Sequence, residues 1–189
     1  MTDRKKICIT VSGLHGTGKT TIAEKFSQQL NLRHISAGRL FRQIALERGI
    51  SLEDLNALAG KKYDIDRIID DKTKLEAEKG DVIIDGLLAG WIAGELADVT
   101  IYLRSDEELR LSRIAKRDGV SYDEAKKRTL FREKVEFTRF NKFYGIDITD
   151  IKLYDLVLNT GLFTVESNIS IIGKFIREYV KLHGGVRYT

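Results

Sequence analysis

The feature that most constrains this chain is the octapeptide Gly13-Leu14-His15-Gly16-Thr17-Gly18-Lys19-Thr20, which matches G-x-x-x-x-G-K-[ST]. Its flanks carry two different periodicities. Before it, Lys6-Ile-Cys-Ile-Thr-Val11 is a short β-branched run that reads as a buried strand. After it, Ile22, Ala23, Phe26 and Leu30 recur at helical spacing. A strand, a glycine loop and a helix in that order make a phosphate cradle. The glycines let backbone N–H groups turn inward, and the helix N-terminus adds positive potential. Lys19 is placed to reach β- and γ-phosphates, and the Thr20 hydroxyl to join a Mg²⁺ shell. The triphosphate-binding stretch is expected to run from Gly13 through Thr21. His15 is expected to point outward, because phosphoryl transfer needs little acid–base chemistry.

Further strands are expected at 33–36, 81–86 (ending at Asp85), 98–103 and 154–159, with helices between them. Ser51-Leu-Glu-Asp54 and Ser105-Asp-Glu-Glu108 have the capping-box form and open two of those helices. A charged helix is expected over 64–79, a long one over 121–143 and a closing one over 164–182. Alternating strands and helices predict an α/β three-layer sandwich around a five-stranded parallel sheet. Residues 104–145 hold many charges and few apolar runs. They are read as a lid that buries little and therefore moves.

Composition narrows the class. The chain has 189 residues, enough for one domain, and 42% of them are hydrophobic. Its net charge of +4 suits polyanionic ligands without choosing among them. The single cysteine, Cys8, rules out an internal disulfide and a Cys-rich zinc site, and reads as a small core residue. No apolar run approaches a membrane span, and Met1-Thr-Asp-Arg-Lys-Lys6 leads straight toward a strand, so a cytoplasmic protein is expected. Asn141-Lys142 resembles the start of a guanine-binding motif. Tyr144 and the helical setting argue against it.

Arginines gather in the expected lid: Arg110, Arg113, Arg117, Arg128, Arg132 and Arg139. Arg113 and Arg117 share a helix face, as do Arg132, Glu136 and Arg139. Such a face is either solvated and laced with ion pairs or a cage for a transferring phosphoryl group, whose charge spreads over its equatorial oxygens. The planar guanidinium suits the second role.

The loop, Ser36-Ala-Gly38-x-x-Phe41-Arg42, Asp85-Gly86-x-Leu88-Ala-Gly90-Trp91, Arg132-x3-Glu136-x2-Arg139 and Tyr144-Gly-Ile-Asp147 together resemble the archaeal type of cytidylate kinase, over residues 6 to 180. The resemblance implies a P-loop nucleoside monophosphate kinase using ATP and Mg²⁺ to phosphorylate CMP and dCMP. It also implies a monophosphate-binding part (37–80) and a lid (104–145). Arg113 and Arg117 resemble a pair that contacts ATP's adenine and phosphates. Arg132 and Arg139, with Lys19, resemble the catalytic cations, and Glu136 the acid that helps hold the acceptor. Ser36 and Arg42 resemble the residues that hold the acceptor; Gly38, Asp85, Gly86, Gly90 and Trp91 are further acceptor-site candidates, Asp85 either reaching the metal through water or serving as a strand-end turn residue, and Trp91 either lining the pocket or packing in the core. Family members usually carry arginine where this chain has Leu87, and Arg39 is expected to replace some of that charge. Members often carry threonine at the loop lysine, whereas this chain has Lys19. The isolated His34 and His183 are read as ordinary residues. A kinase for AMP or UMP and a P-loop kinase of a small metabolite stand as alternatives, as does a basic nucleic-acid module. A monomer or weak dimer is expected, with nucleotides as partners and neither a membrane nor a stable nucleic-acid partner.

Overall fold

The computed structural model describes residues 6–61 and 64–184. The reading of residues 1–5 therefore lies outside the described residues. Five strands, β1 (Cys8–Ser12), β2 (Arg33–Ser36), β3 (Val82–Asp85), β4 (Val99–Arg104) and β5 (Leu156–Asn159), form one parallel sheet in the order β2-β3-β1-β4-β5. The alternating residues of β1 divide the core. Ile7, Ile9 and Val11 pack with Phe26 and Leu30 of α1 (Lys19–Leu30) and Ile172 and Ile176 of α8 (Val165–His183). Cys8 faces the other way, against Ala77 of α4 (Asp64–Lys79) and Ala89 and Ala93 of α5 (Ala89–Ala93). Both sheet faces are covered, which is why the strands read as continuous apolar runs. Burial pushes the Cys8 thiol up to about 12, so it behaves as a core residue.

A second apolar cluster stands beside the sheet. α2 (Ala37–Glu47) and α3 (Leu52–Lys61) pack on α4 through Phe41, Ala45, Leu55, Ala59, Ile65 and Ile69. α6 (Glu107–Asp118) and α7 (Tyr122–Tyr144) form an antiparallel pair over the carboxyl ends of the strands. Their caps match the capping logic unevenly. The Ser51 hydroxyl accepts from Asp54 N at 3.0 Å, as expected. Ser105 does not cap α6. The cap falls one residue later, on Asp106 in extended conformation, with no side-chain hydrogen bond. The short helix α5 lies in a segment that carries no periodicity long enough to reveal it.

The α6–α7 segment buries more than its charge suggests. Arg110, Leu111 and Ile114 of α6 are buried, as are Thr129, Glu133, Glu136, Arg139 and Phe140 of α7. Burial is possible because the charges are paired inside: Arg110 meets Glu133 at 2.7 Å, both side chains under 8% exposed.

Candidate active site

Each strand's carboxyl end delivers one part of the site, as open α/β sheets generally do. After β1 comes the loop. Gly13 has φ +140°, and a Cβ there would collide with the Leu103 carbonyl oxygen of β4. Gly18, at φ +92°, precedes α1 and leaves that helix's first N–H groups open. Lys19 Nζ donates to the Leu14 carbonyl at 2.8 Å, and burial lowers its pKa to about 8. A lysine folded back on its own loop is poised to swing to a phosphate.

Asp85 closes β3 and is the hub of the site. Its Oδ1 accepts from the Thr20 hydroxyl at 3.0 Å and the Ser36 hydroxyl at 3.2 Å. Its Oδ2 lies 2.7 Å from His34 Nε2. Ser36 also caps α2, accepting from Arg39 N. One carboxylate therefore joins the loop, the β2 end and the helix beyond it. His34 is not the ordinary residue expected. It stands two positions before Ser36 on one strand, so period-two alternation was the signal that puts both on one face.

The lid helices touch the loop directly. His15 points inward, not outward: its Nε2 lies 2.7 Å from Glu136 Oε2, while Glu136 Oε1 accepts from Arg132 Nε at 2.8 Å. Burial works to raise the Glu136 pKa, but His15 and Arg132 beside it win, holding the carboxyl well below the usual range. Burial lowers the His15 pKa, so a neutral ring donates to this carboxylate. Arg110 Nη1 donates to the His15 carbonyl at 2.7 Å as well as to Glu133. Glu136 is thus a brace between loop and lid, with both oxygens engaged.

A single cleft of about 1020 Å³ runs over these groups. The loop from His15 through Thr21 lines it, whereas Gly13 and Leu14 lie outside its lining. On one side are Arg113, Arg117, Thr160, Val165 and Asn168. Arg113 donates to the Thr160 hydroxyl (3.2 Å) and carbonyl (3.1 Å), and that hydroxyl lies 3.0 Å from the Thr17 carbonyl. Thr160 follows β5 directly, and strand-end logic alone was the signal for it. Arg117 is half-exposed and pairs with its neighbour Asp118. On the other side are Gly38, Phe41, Arg42, Asn56, Asp66, Asp70, Gly86, Leu87, Arg132 and Arg139. Burial lowers the Arg42 pKa, and the nearby Arg117 and Arg132 push the same way. That crowding of positive charge suits an anionic ligand.

Four expected site residues are placed elsewhere or differently. Arg39 ion-pairs with Glu24 of α1 and does not line the cleft, so its charge does not stand in at Leu87. Gly90 and Trp91 also lie outside the lining. Gly90 N donates to Ser12 Oγ at 3.1 Å, and a Cβ there would stand 2.8 Å from the Tyr154 ring. Trp91 packs into the cluster around Leu88, Phe140 and Ile148. Gly90 thus holds α5 against β1, and Trp91 packs α5 against α7. Arg139 lines the cleft, but away from the loop: its Nη1 donates to Asn56 Oδ1 at 3.0 Å and its Nε lies 3.0 Å from Asp66 Oδ2.

A glycine loop on β1, an aspartate closing β3 and arginine-bearing helices over a 2-3-1-4-5 parallel sheet define a P-loop kinase. A family model described as an AAA domain matches residues 9–138. Among solved structures, the fold resembles a protein from Eubacterium ventriosum (TM-score 0.69, 20% identity, 91% of this chain and 99% of that one). It also resembles shikimate kinase from Bacteroides thetaiotaomicron (TM-score 0.60, 17% identity, 92% and 99%). Sequence relatives are nearer. The cytidylate kinase of Staphylothermus marinus is 43% identical over 93% of this chain and 99% of its own length. That of Ignicoccus hospitalis is 44% identical over 89% and 98%. The chain belongs to the cytidylate kinase family.

Proposed function

We propose that the enzyme transfers the γ-phosphoryl group of ATP to the phosphate of CMP and dCMP. The observation that carries this reading is the Asp85 carboxylate, which lines the cleft and ties Thr20 of the donor loop to Ser36, the β2 end that caps α2. Two phosphate-binding regions braced against each other are what in-line transfer between two nucleotides requires.

The donor's triphosphate lies along the loop N–H groups, with Lys19 released from Leu14 to the β- and γ-oxygens. Arg42 and Arg132 hold the acceptor phosphate and the group in flight. The acceptor is already anionic, so no general base is called for. Arg113, Thr160 and Asn168 flank the donor base. The part over 37–80 carries the acceptor, and the lid over 104–145 excludes water that would hydrolyse ATP. The Thr20 hydroxyl and Asp85 carboxylate, 3.0 Å apart, are hard oxygen donors of the kind Mg²⁺ takes. Mg²⁺ held there would neutralise charge on the phosphates. Among the described residues no cluster of three His, Cys, Asp or Glu side chains could hold a metal. A monomer or weak dimer is proposed. No described helix is long and apolar enough to cross a membrane, and a cytoplasmic setting is proposed.

An acceptor screen with CMP, dCMP, UMP, AMP and GMP, with ATP and Mg²⁺, tests the reading. CMP and dCMP are expected to give the highest kcat/KM. Absence of transfer to every monophosphate would overturn it.

A further inference from the structure

Phosphoryl transfer asks for no acid–base group in the loop, yet His15 stands at its third position with its ring turned to the lid. Two braces join loop and lid, and they differ in place. Arg110 and Glu133 form the first; both are buried and lie outside the cleft lining. That pair already fixes α6 to α7, and Arg110 Nη1 fixes the His15 carbonyl. The second runs from the His15 ring through Glu136 to Arg132, and all three residues line the cleft. A carboxylate in the wall of a cleft for polyanions repels its ligand, so Glu136 needs a task there that outweighs the repulsion. Arg132 shows what the task is. Glu136 grips it only at Nε, and the Phe41 ring stands 5.5 Å from its guanidinium carbon. Among the described residues its two terminal nitrogens hold no hydrogen bond, so the fork stays open to a phosphate. Burial lowers the Lys19 and Arg42 pKa values, and Arg132 pushes both the same way, which places it within electrostatic reach of the donor lysine and the acceptor arginine.

We propose that His15 is a positioning residue for the transfer step: its ring orients Glu136, and Glu136 in turn aims Arg132 at the phosphoryl group in flight. This rests on the kinase reading above and adds the element that fixes its transfer cation. A free arginine on a helix samples many rotamers. Held at Nε by a carboxylate, its planar head keeps one orientation while the Nη groups still point outward. The carboxylate must itself be still, and a glutamate gripped from one side alone would turn about its own bonds. His15 supplies the second grip, 2.7 Å from Oε2, while Arg132 takes Oε1 at 2.8 Å. The loop that receives the triphosphate therefore also sets the cation that meets its far end. Preorganised cations of this kind are where phosphoryl transfer gains its rate.

The test is the single-turnover transfer rate at saturating ATP, Mg²⁺ and CMP, in the native enzyme, His15→Ala, Arg132→Ala and the double variant, with the ATP Kd of each from equilibrium titration. His15→Ala should slow transfer by about tenfold or more while the Kd stays within about threefold. His15→Gln, whose amide N–H can reach the same oxygen, should recover most of the rate. Because His15 acts through Arg132, the double variant should be no slower than Arg132→Ala alone. Losses that multiply in the double variant, or a His15→Ala rate within about twofold of native, would overturn the proposal and leave the kinase reading standing. A change confined to ATP affinity would make His15 a strut of the loop and would overturn it too. If His15→Ala does not fold, His15→Gln and His15→Met are compared: a rate kept by Gln and lost by Met supports the assignment, and equal rates in the two overturn it. A native enzyme that transfers to no monophosphate would remove the kinase reading and this proposal with it.

Discussion

Replacing Glu133 by alanine should damage stability more than any exposed charge change in the lid. Arg110 and Glu133 are 4% and 7% exposed, and the guanidinium meets both carboxylate oxygens, at 2.7 and 3.4 Å. Without Glu133, a buried cation keeps only the His15 carbonyl, 2.7 Å from Nη1. Leaving one member of a buried pair unmatched costs about 3–5 kcal/mol. For a domain of this size, each kcal/mol moves Tm by about 2–4 °C, so the melting point should drop by roughly 6–20 °C. Urea unfolding followed by circular dichroism, without nucleotide, gives the free energy directly. The double variant Arg110→Met, Glu133→Leu removes both charges and should recover most of the loss, since apolar replacements of buried pairs are often neutral. It should not recover ATP binding, because the His15 carbonyl has lost its donor and the loop its brace. A loss below about 1 kcal/mol in Glu133→Ala, or a double variant as unstable as the two single changes summed, would refute this reasoning.

Other consequences follow from the site. Arg39→Ala should leave the acceptor KM within about twofold, because Arg39 pairs with Glu24 outside the cleft, whereas Arg42→Ala should raise it by tenfold or more, a charged hydrogen bond being worth about 1.5–3 kcal/mol. Gly13→Ala should abolish ATP binding in an equilibrium titration, since the methyl group would run into Leu103 of β4 at a backbone angle that alanine avoids. Burial raises Asp66 to about 6. The same shift makes the native state the stronger proton binder between the ordinary 3.8 and about 6, so this group's contribution to stability is full below about 4 and is lost as pH rises through 6.

What was legible in the sequence was local. The loop carries its conformation in its own glycines, and Ile7, Ile9 and Val11 announce a strand buried on both faces because a parallel sheet leaves no polar side. Ser51 and Asp54 meet within one turn, so a four-residue pattern suffices to find them. What escaped was contact between distant positions. His15 meets Glu136 across 121 residues, and Asn56 meets Arg139 across 83, pairings that no spacing rule reaches. Arg110 looked like its neighbours Arg113 and Arg117, since a guanidinium reads the same whether it faces solvent or a buried carboxylate. Gly90 and Trp91 sat in a distinctive segment, yet distinctiveness there marks tight packing, of Gly90 against Ser12 and Tyr154 and of Trp91 beside Phe140, while Leu87 and Leu88 line the cleft.

The sheet order also sets a timetable. β1 holds the loop, yet among the described residues its strand partners are β3 and β4: Cys8 registers with Val82, and Ile9 with Val99. β2, the next strand to be made, pairs with β3 and not with β1. On a ribosome adding about 5–20 residues per second, some 4 to 15 seconds pass before β3 follows β1 out, and an apolar strand waits unpaired for that time. The nucleotide site, first in the sequence, is among the last parts of the molecule to exist. A nascent chain halted before residue 82 should therefore hold no ATP, however complete its loop.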